Sequence, residues 1–185
     1  EDVNNNYKCK KFIMVISPLA TSDTEEVVKL ARINWAESRF QWMPFDEAKI
    51  RANLARMVEA PATSNCAIVV RNHAGKLVGY LAGSIEEYFF CRARIASSVF
   101  LFVDPDERGG QAAVKLVLAF RQWAVNREAV ELYIGVAGGV LMERTGKFLQ
   151  RLGLRLTGGN YSLWLKGPEA GQVRTGPAGY LQRPS

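Results

Sequence analysis

Apolar positions along the chain change period several times, and each change marks an element. Phe12-Ile13-Met14-Val15-Ile16 is a continuous apolar run stopped by Ser17-Pro18, the signature of a short buried strand. From Ser22-Asp23 the spacing turns helical. Val27, Val28, Leu30, Ala31, Ile33 and Trp35 suit one face behind Glu25 and Glu26, so a helix capped by Ser22 or Asp23 is expected to end near Ser38. Phe40-Gln41-Trp42-Met43-Pro44-Phe45 is aromatic without a period, and Asp46 then heads a second helix with Ile50, Leu54, Met57 and Val58 on one side.

Further on, Cys66–Arg71 and Leu77–Ile85 are strand-like and flank the polar turn Asn72 to Lys76, which makes an antiparallel hairpin. Ile95–Val103 is a third such run. It ends at Asp104-Pro105-Asp106-Glu107-Arg108-Gly109-Gly110, after which a helical pattern continues through Val114, Leu116, Val117, Phe120, Trp123 and Ala124. Val130–Val136 reads as a strand and Leu141–Leu152 as a helix closing on Gly153. Leu154–Thr157 and Tyr161–Leu165 read as a final hairpin around Gly158-Gly159-Asn160. The expected order is β-α-α-β-β-β-α-β-α-β-β, an α/β domain over residues 1–166. Residues 167–185, with four glycines and three prolines, read as a C-terminal tail that a protein partner or a second copy of the chain could hold. Trp42, beside Pro44 in a non-periodic loop, is hard to bury and is an interface candidate.

Composition narrows the function. With 185 residues there is room for one enzyme domain and not two. No window approaches the roughly 18 uninterrupted apolar residues of a membrane span, and the first residues do not resemble a signal peptide, so no membrane is expected. Cys9, Cys66 and Cys91 are too scattered for a disulfide framework or a zinc site, which points to a reducing, cytoplasmic setting and to no metal. The only histidine, His73, lies in a turn, so no Ser/His/Asp or Cys/His relay can be assembled. The net charge is +6, and nearly all of the excess falls between residues 61 and 166. Without a basic recognition helix or an aromatic platform, a small polyanionic ligand explains that charge better than nucleic acid.

The segment Val103 to Ala113 is where such a ligand would bind. A strand leads into a glycine turn and a helix starts at once, so free N–H groups and the positive end of the helix dipole converge as at phosphate sites. Gly109 and Gly110 permit φ > 0 and close approach of a pyrophosphate.

Taken in order, Val103-Asp104-Pro105, Arg108-Gly109-Gly110 with Gln111 and Ala113, and Phe148-Leu149-Gln150-Arg151-Leu152-Gly153-Leu154 resemble the GCN5-related N-acetyltransferase (GNAT) superfamily. The chain is similar in flavour to GNAT-like proteins encoded by phages, for which a virion location would be the alternative. The resemblance implies a GNAT fold, a mixed and mostly antiparallel sheet of six to seven strands with four helices. It also implies an acetyltransferase that moves the acetyl group of acetyl-CoA to an amine of a small molecule or protein. In that reading Leu101, Phe102 and Val103 hold the pantetheine arm, and main-chain N–H groups of Gly109, Gly110, Gln111, Ala112 and Ala113, with Arg108, hold the pyrophosphate. Arg151, on a stripe with Arg144 and Lys147, reaches the 3′-phosphate. Gln111 stands where the family usually has glycine, Leu149 where it has the tyrosine acid, and Ile95–Leu101 lacks the usual glutamate base. Glu86 and Glu87, or Ser97 and Ser98 through a water, are the candidate substitutes. The same departures leave room for a catalytically degenerate binding or structural module.

Overall fold

β3, the longest strand, is the axis on which the other elements are assembled. The computed structural model describes residues 14–60, 62–167 and 170, and in chain order it contains β1 (Val15–Pro18), α1 (Thr24–Glu37), α2 (Glu47–Glu59), β2 (Asn65–Arg71), β3 (Leu77–Glu87), β4 (Arg94–Val103), α3 (Ala112–Val125), β5 (Ala129–Tyr133) and α4 (Met142–Arg151). The sheet order is β1-β2-β3-β4-β5, antiparallel except for the parallel pair β4 and β5. Phe12 and Ile13 of the expected first strand lie outside the described residues, as does the tail beyond Gly167 except Ala170. No helix among the described residues is long and apolar enough to cross a membrane.

α3 covers one face of the sheet, where Leu116 and Phe120 pack with Val70, Val78, Leu81 and Ala96. α1 and α2 cover the other, where Val27, Val28, Leu30 and Leu54 meet Val69, Leu77, Tyr80 and Phe102. α3 comes so close that a Cβ on Gly83 would stand 2.6 Å from the Phe120 ring and 2.7 Å from the Ser97 carbonyl oxygen. Glycine at 83 is therefore a packing requirement, and it fixes α3 against the part of the sheet where β4 carries the cleft.

The expected final hairpin does not form, so among the described residues the sheet has five strands and not six to seven. Residues 154–165 alternate apolar and polar as a strand should, but no ladder pairs with them, and Leu156, Tyr161, Leu163 and Leu165 are exposed. A two-stranded hairpin is marginal unless its apolar face is covered. Here the segment is held through side chains instead. Trp164 stacks edge-on against Trp42 at 5.0 Å and Phe40 at 6.2 Å, and Arg39 donates to the Ser162 hydroxyl at 2.6 Å. Trp42, expected at an interface, is thus covered by Trp164, Gly167 also packs on its ring, and its indole N–H is buried without a hydrogen-bond partner among the described residues.

Asp46 caps α2 as expected, accepting the Lys49 N–H at 2.9 Å. Asp23 stands at the N-cap position of α1 but does not cap it. Its buried carboxylate accepts the Ala20 N–H at 2.8 Å and Arg71 at 2.6 Å. Arg71, from the end of β2, also donates to Glu26 at 2.8 Å, and Glu26 accepts the Leu77 N–H at 3.1 Å. Burial pushes the Glu26 carboxyl up, but these two hydrogen bonds outweigh it and hold the group below the usual carboxylate range. One guanidinium therefore ties the start of α1 to the hairpin of β2 and β3. Arg71→Ala would leave the Asp23 carboxylate buried without its cation, and chemical denaturation should show a loss of about 2–3 kcal/mol.

Candidate functional site

Parallel pairing of β4 with β5 starts at Arg94 and Ala129 and ends at Ser97 and Tyr133, yet β4 runs on to Val103. From Ser98 onward the main chain of β4 has no ladder partner on that side. Between β3 and β4 the register shifts as well: Ala82 pairs with Phe100 and Gly83 with Ser98, which leaves Val99 as the extra residue of a bulge. A cleft of about 980 Å³ opens where the strands part, between β4, the turn before α3, α4 and the inner faces of α1 and α2.

At its head stands the turn. Asp104 is buried, accepts Lys76 at 2.8 Å and the Asp106 N–H at 3.2 Å, and donates its own N–H to the Val78 carbonyl at 2.8 Å. Burial pushes its carboxyl up, but Lys76 and the Asp106 N–H outweigh this and hold it below the usual range. Beyond a single 3₁₀ turn, Pro105–Glu107, the one left-handed residue is Gly109, with φ of 88°. Gln111 has φ of −85°, ordinary right-handed backbone, so the absent glycine imposes no strain there. Its side chain is exposed and outside the cleft wall, and Ala112 is buried in the core, whereas Gly109, Gly110 and Ala113 border the cleft. No side chain caps α3, so its first N–H groups are left for a ligand.

Arg108 is already engaged. Its Nε donates to the Val103 carbonyl at 3.1 Å, its guanidinium pairs with Glu37 at 2.5 Å, and it lies over the Phe102 ring. Across the cleft, α4 turns Thr145, Phe148 and Leu152 inward together with Arg144 and Arg151. Arg144 reaches back so far that its Nη2 would sit 3.2 Å from a Cβ on Gly109. The expected basic stripe therefore divides: Arg144 and Arg151 border the cleft, while Lys147 pairs with Glu143 at 2.6 Å. Leu149 is buried, so α4 offers no hydroxyl at that position.

Leu101, Phe102 and Val103 border the cleft. Ser97 and Ser98 are half-buried at the apex where the strands part. Glu86 and Glu87 are exposed at the far end of β3, paired in register with Ile95 and Arg94 and away from the cleft wall. The wall instead includes Tyr80, whose hydroxyl accepts from Asn34 at 3.4 Å and whose phenol burial pushes up, so that it keeps its proton. Sequence reading missed Tyr80 because it sits inside an apolar run, and missed Asn34 and Glu37 because they are polar positions on an otherwise ordinary helix. Only the sheet pairing brings them to β4. Cys66 is pushed up to about 11 by burial and is no nucleophile at neutral pH.

The sequence profile of the acetyltransferase (GNAT) family matches residues 27–153. No curated protein matches the chain. Among solved structures, an aminoglycoside N-acetyltransferase, AAC(6′)-Iy in complex with CoA, superposes with a TM-score of 0.65 at 17% identity, over 84% of this chain and 97% of that one. Glucosamine-6-phosphate N-acetyltransferase from Arabidopsis thaliana gives 0.66 at 14% identity, over 83% and 99%. Ribosomal-protein-alanine N-acetyltransferase from Brucella melitensis biovar Abortus 2308 gives 0.63 at 18% identity, over 82% and 99%. At these identities the likeness is one of fold.

The turn at the head of the cleft depends on Asp104 being ionised. Its carboxyl titrates lower in the folded chain than in the unfolded one, so its contribution to stability is complete above the unfolded value of about 4 and is lost as pH falls through the folded value. Thermal unfolding from pH 6 down to pH 2 should therefore show an acid-limb loss of Tm that is shallower in Asp104→Asn, which should also be less stable than wild type at pH 7.

Proposed function

The chain belongs to the acetyltransferase (GNAT) family, and from that premise we propose that it transfers the acetyl group of acetyl-CoA to an amine. The observation that carries this reading is the parting of β4 from β5 at Ser97 and Tyr133, directly below an uncapped helix N-terminus. An extended pantetheine arm fits beside β4 because the unpaired main-chain groups from Val99 to Val103 can pair with its amides as a strand would. Its pyrophosphate then meets the N–H groups from Gly109 to Ala113, with Arg144 and Arg151 facing it from α4. Arg108 can join them only by leaving Glu37.

In the transfer itself, the lone pair of a neutral amine attacks the thioester carbon, and a tetrahedral intermediate forms with negative charge on oxygen. Main-chain N–H groups at the Val99 bulge would receive that charge. The C–S bond then breaks, the amine loses a proton, and the thiolate takes one, which gives an acetamide and free CoA. Tyr80 carries a buried hydroxyl on the wall, and we assign it as the proton donor to the thiolate in place of the missing hydroxyl at Leu149. Ser97 and Ser98 are assigned to hold water at the apex. Glu86 and Glu87 receive no role.

Calorimetric titration with acetyl-CoA should give a Kd below about 1 mM. Gly110→Trp, which fills the turn, should abolish the heat, and Arg144→Glu should weaken binding at least about tenfold. Absence of heat with wild-type protein at millimolar ligand would reject the enzyme reading and leave a non-catalytic module of the same fold. In a thiol-release assay with an accepted amine, Tyr80→Phe should lower kcat about a hundredfold with little change in acetyl-CoA affinity.

A further inference from the structure

The cleft does not end at the strand apex. It continues between α1, α2 and the sheet as a channel walled by Trp35, Phe45, Ile50, Leu54, Met57 and Tyr80. Ile50, Leu54 and Met57 are spaced i, i+4, i+7 on α2 and present one apolar ridge to it. Trp35 is fixed by its indole N–H, which donates to the Met43 carbonyl at 3.0 Å, and by the Phe45 ring at 5.5 Å. The channel is therefore apolar, aromatic and held rigid.

Its charges are equally informative. Among the described residues, the acids that border the whole cleft are Asp46 and Glu107. Asp46 is committed to capping α2, and Glu107 accepts the Asn72 side-chain amide at 2.8 Å. The carboxylates just outside are also engaged: Glu25 and Glu47 with Arg51, Glu47 further with Arg32, and Glu37 with Arg108. The Arg32 guanidinium lies 4.4 Å over the Phe45 ring, and Lys49 stands on the wall beside Asp46. An acceptor with several ammonium groups would lose its hydration here and meet on the wall two carboxylates, Asp46 and Glu107, each already accepting a hydrogen bond from another group, too few to replace that hydration at every ammonium.

Building on the acetyltransferase reading above, we infer that the acceptor is a monoamine on an aromatic or long aliphatic body, which this channel takes up with its amine directed at the β4 bulge. The same surroundings account for the lack of a carboxylate base on β4. An ammonium group moved into an apolar channel is disfavoured relative to the free amine, so the channel promotes the neutral nucleophile that the attack requires. Asn34 and Tyr80, both on the wall, are the polar groups that can orient the amine by hydrogen bonding.

The test compares 2-phenylethylamine and octylamine with ethylamine, spermidine and kanamycin, in two separate measurements. In the acetyl-transfer assay, kcat/KM for the first two should exceed that for spermidine and kanamycin by at least about tenfold and that for ethylamine by about a hundredfold. A preference for spermidine or kanamycin overturns the inference while leaving acetyl transfer intact. Calorimetric titration with 2-phenylethylamine needs no turnover. Met57→Trp, or Ile50→Trp if that variant does not fold, should lower its affinity at least about tenfold and leave acetyl-CoA binding unchanged. Unchanged 2-phenylethylamine affinity in a folded variant also overturns the inference. If 2-phenylethylamine binds in wild type, is lost in Met57→Trp, and no amine is acetylated, the apolar monoamine site stands and the transferase reading falls.

Discussion

Between Ser97 and Val103 the main chain of β4 loses its neighbour on one side and keeps it on the other, and the cleft depends on that asymmetry. A strand with one vacant edge is a liability in most proteins, because its N–H and C=O groups invite another chain. Here the edge is kept apart from β5 by tightly packed neighbours. α3 presses on Gly83 so closely that no side chain fits, β3 holds β4 through the bulge at Val99, and Asp104 fastens the end of β4 to Val78 and Lys76. A vacant edge held this way is preorganised to receive an extended ligand, since little backbone entropy remains to be lost on binding.

The two ends of the cleft have opposite chemistry, and both follow from where charge is neutralised. At the turn, an uncapped helix N-terminus, Arg144 and Arg151 gather positive potential, with Glu107 the carboxylate that borders the cleft there. At the other end each carboxylate is matched by an arginine or a helix N-terminus, and what remains is aromatic and aliphatic surface. Arg108 joins the two through Glu37, so this side chain holds the end of α1 to the turn before α3.

The solved structures that share this architecture carry names with three different acceptors: an aminoglycoside, glucosamine 6-phosphate and a ribosomal-protein alanine. At 14–18% identity that likeness is one of fold, and one fold can serve different acceptors. In this chain the segment between α1 and α2 is aromatic, with Phe40, Trp42 and Phe45 close together.

Periodicity alone determined most of the element order, because the apolar spacing of each strand and helix is a local property. The turn from Asp104 to Gly110 was equally legible, since a strand, two glycines and a helix start are contiguous. The strand count was not. Residues 154–165 have the alternation of a hairpin, but whether they pair depends on an available edge and a surface to bury Leu156, Tyr161 and Leu163, which no local pattern encodes. Trp42 likewise looked like an outward-facing residue until Trp164 and Gly167, more than a hundred residues later, closed over it. Tyr80, Asn34 and Glu37 belong to the site only because sheet register and helix packing bring β3, α1 and the turn together. The elements and the glycine turn before α3 were legible from residues contiguous in the chain. The cleft, its apolar channel and the pairing of its charges were decided by tertiary structure, because each depends on groups far apart in the chain.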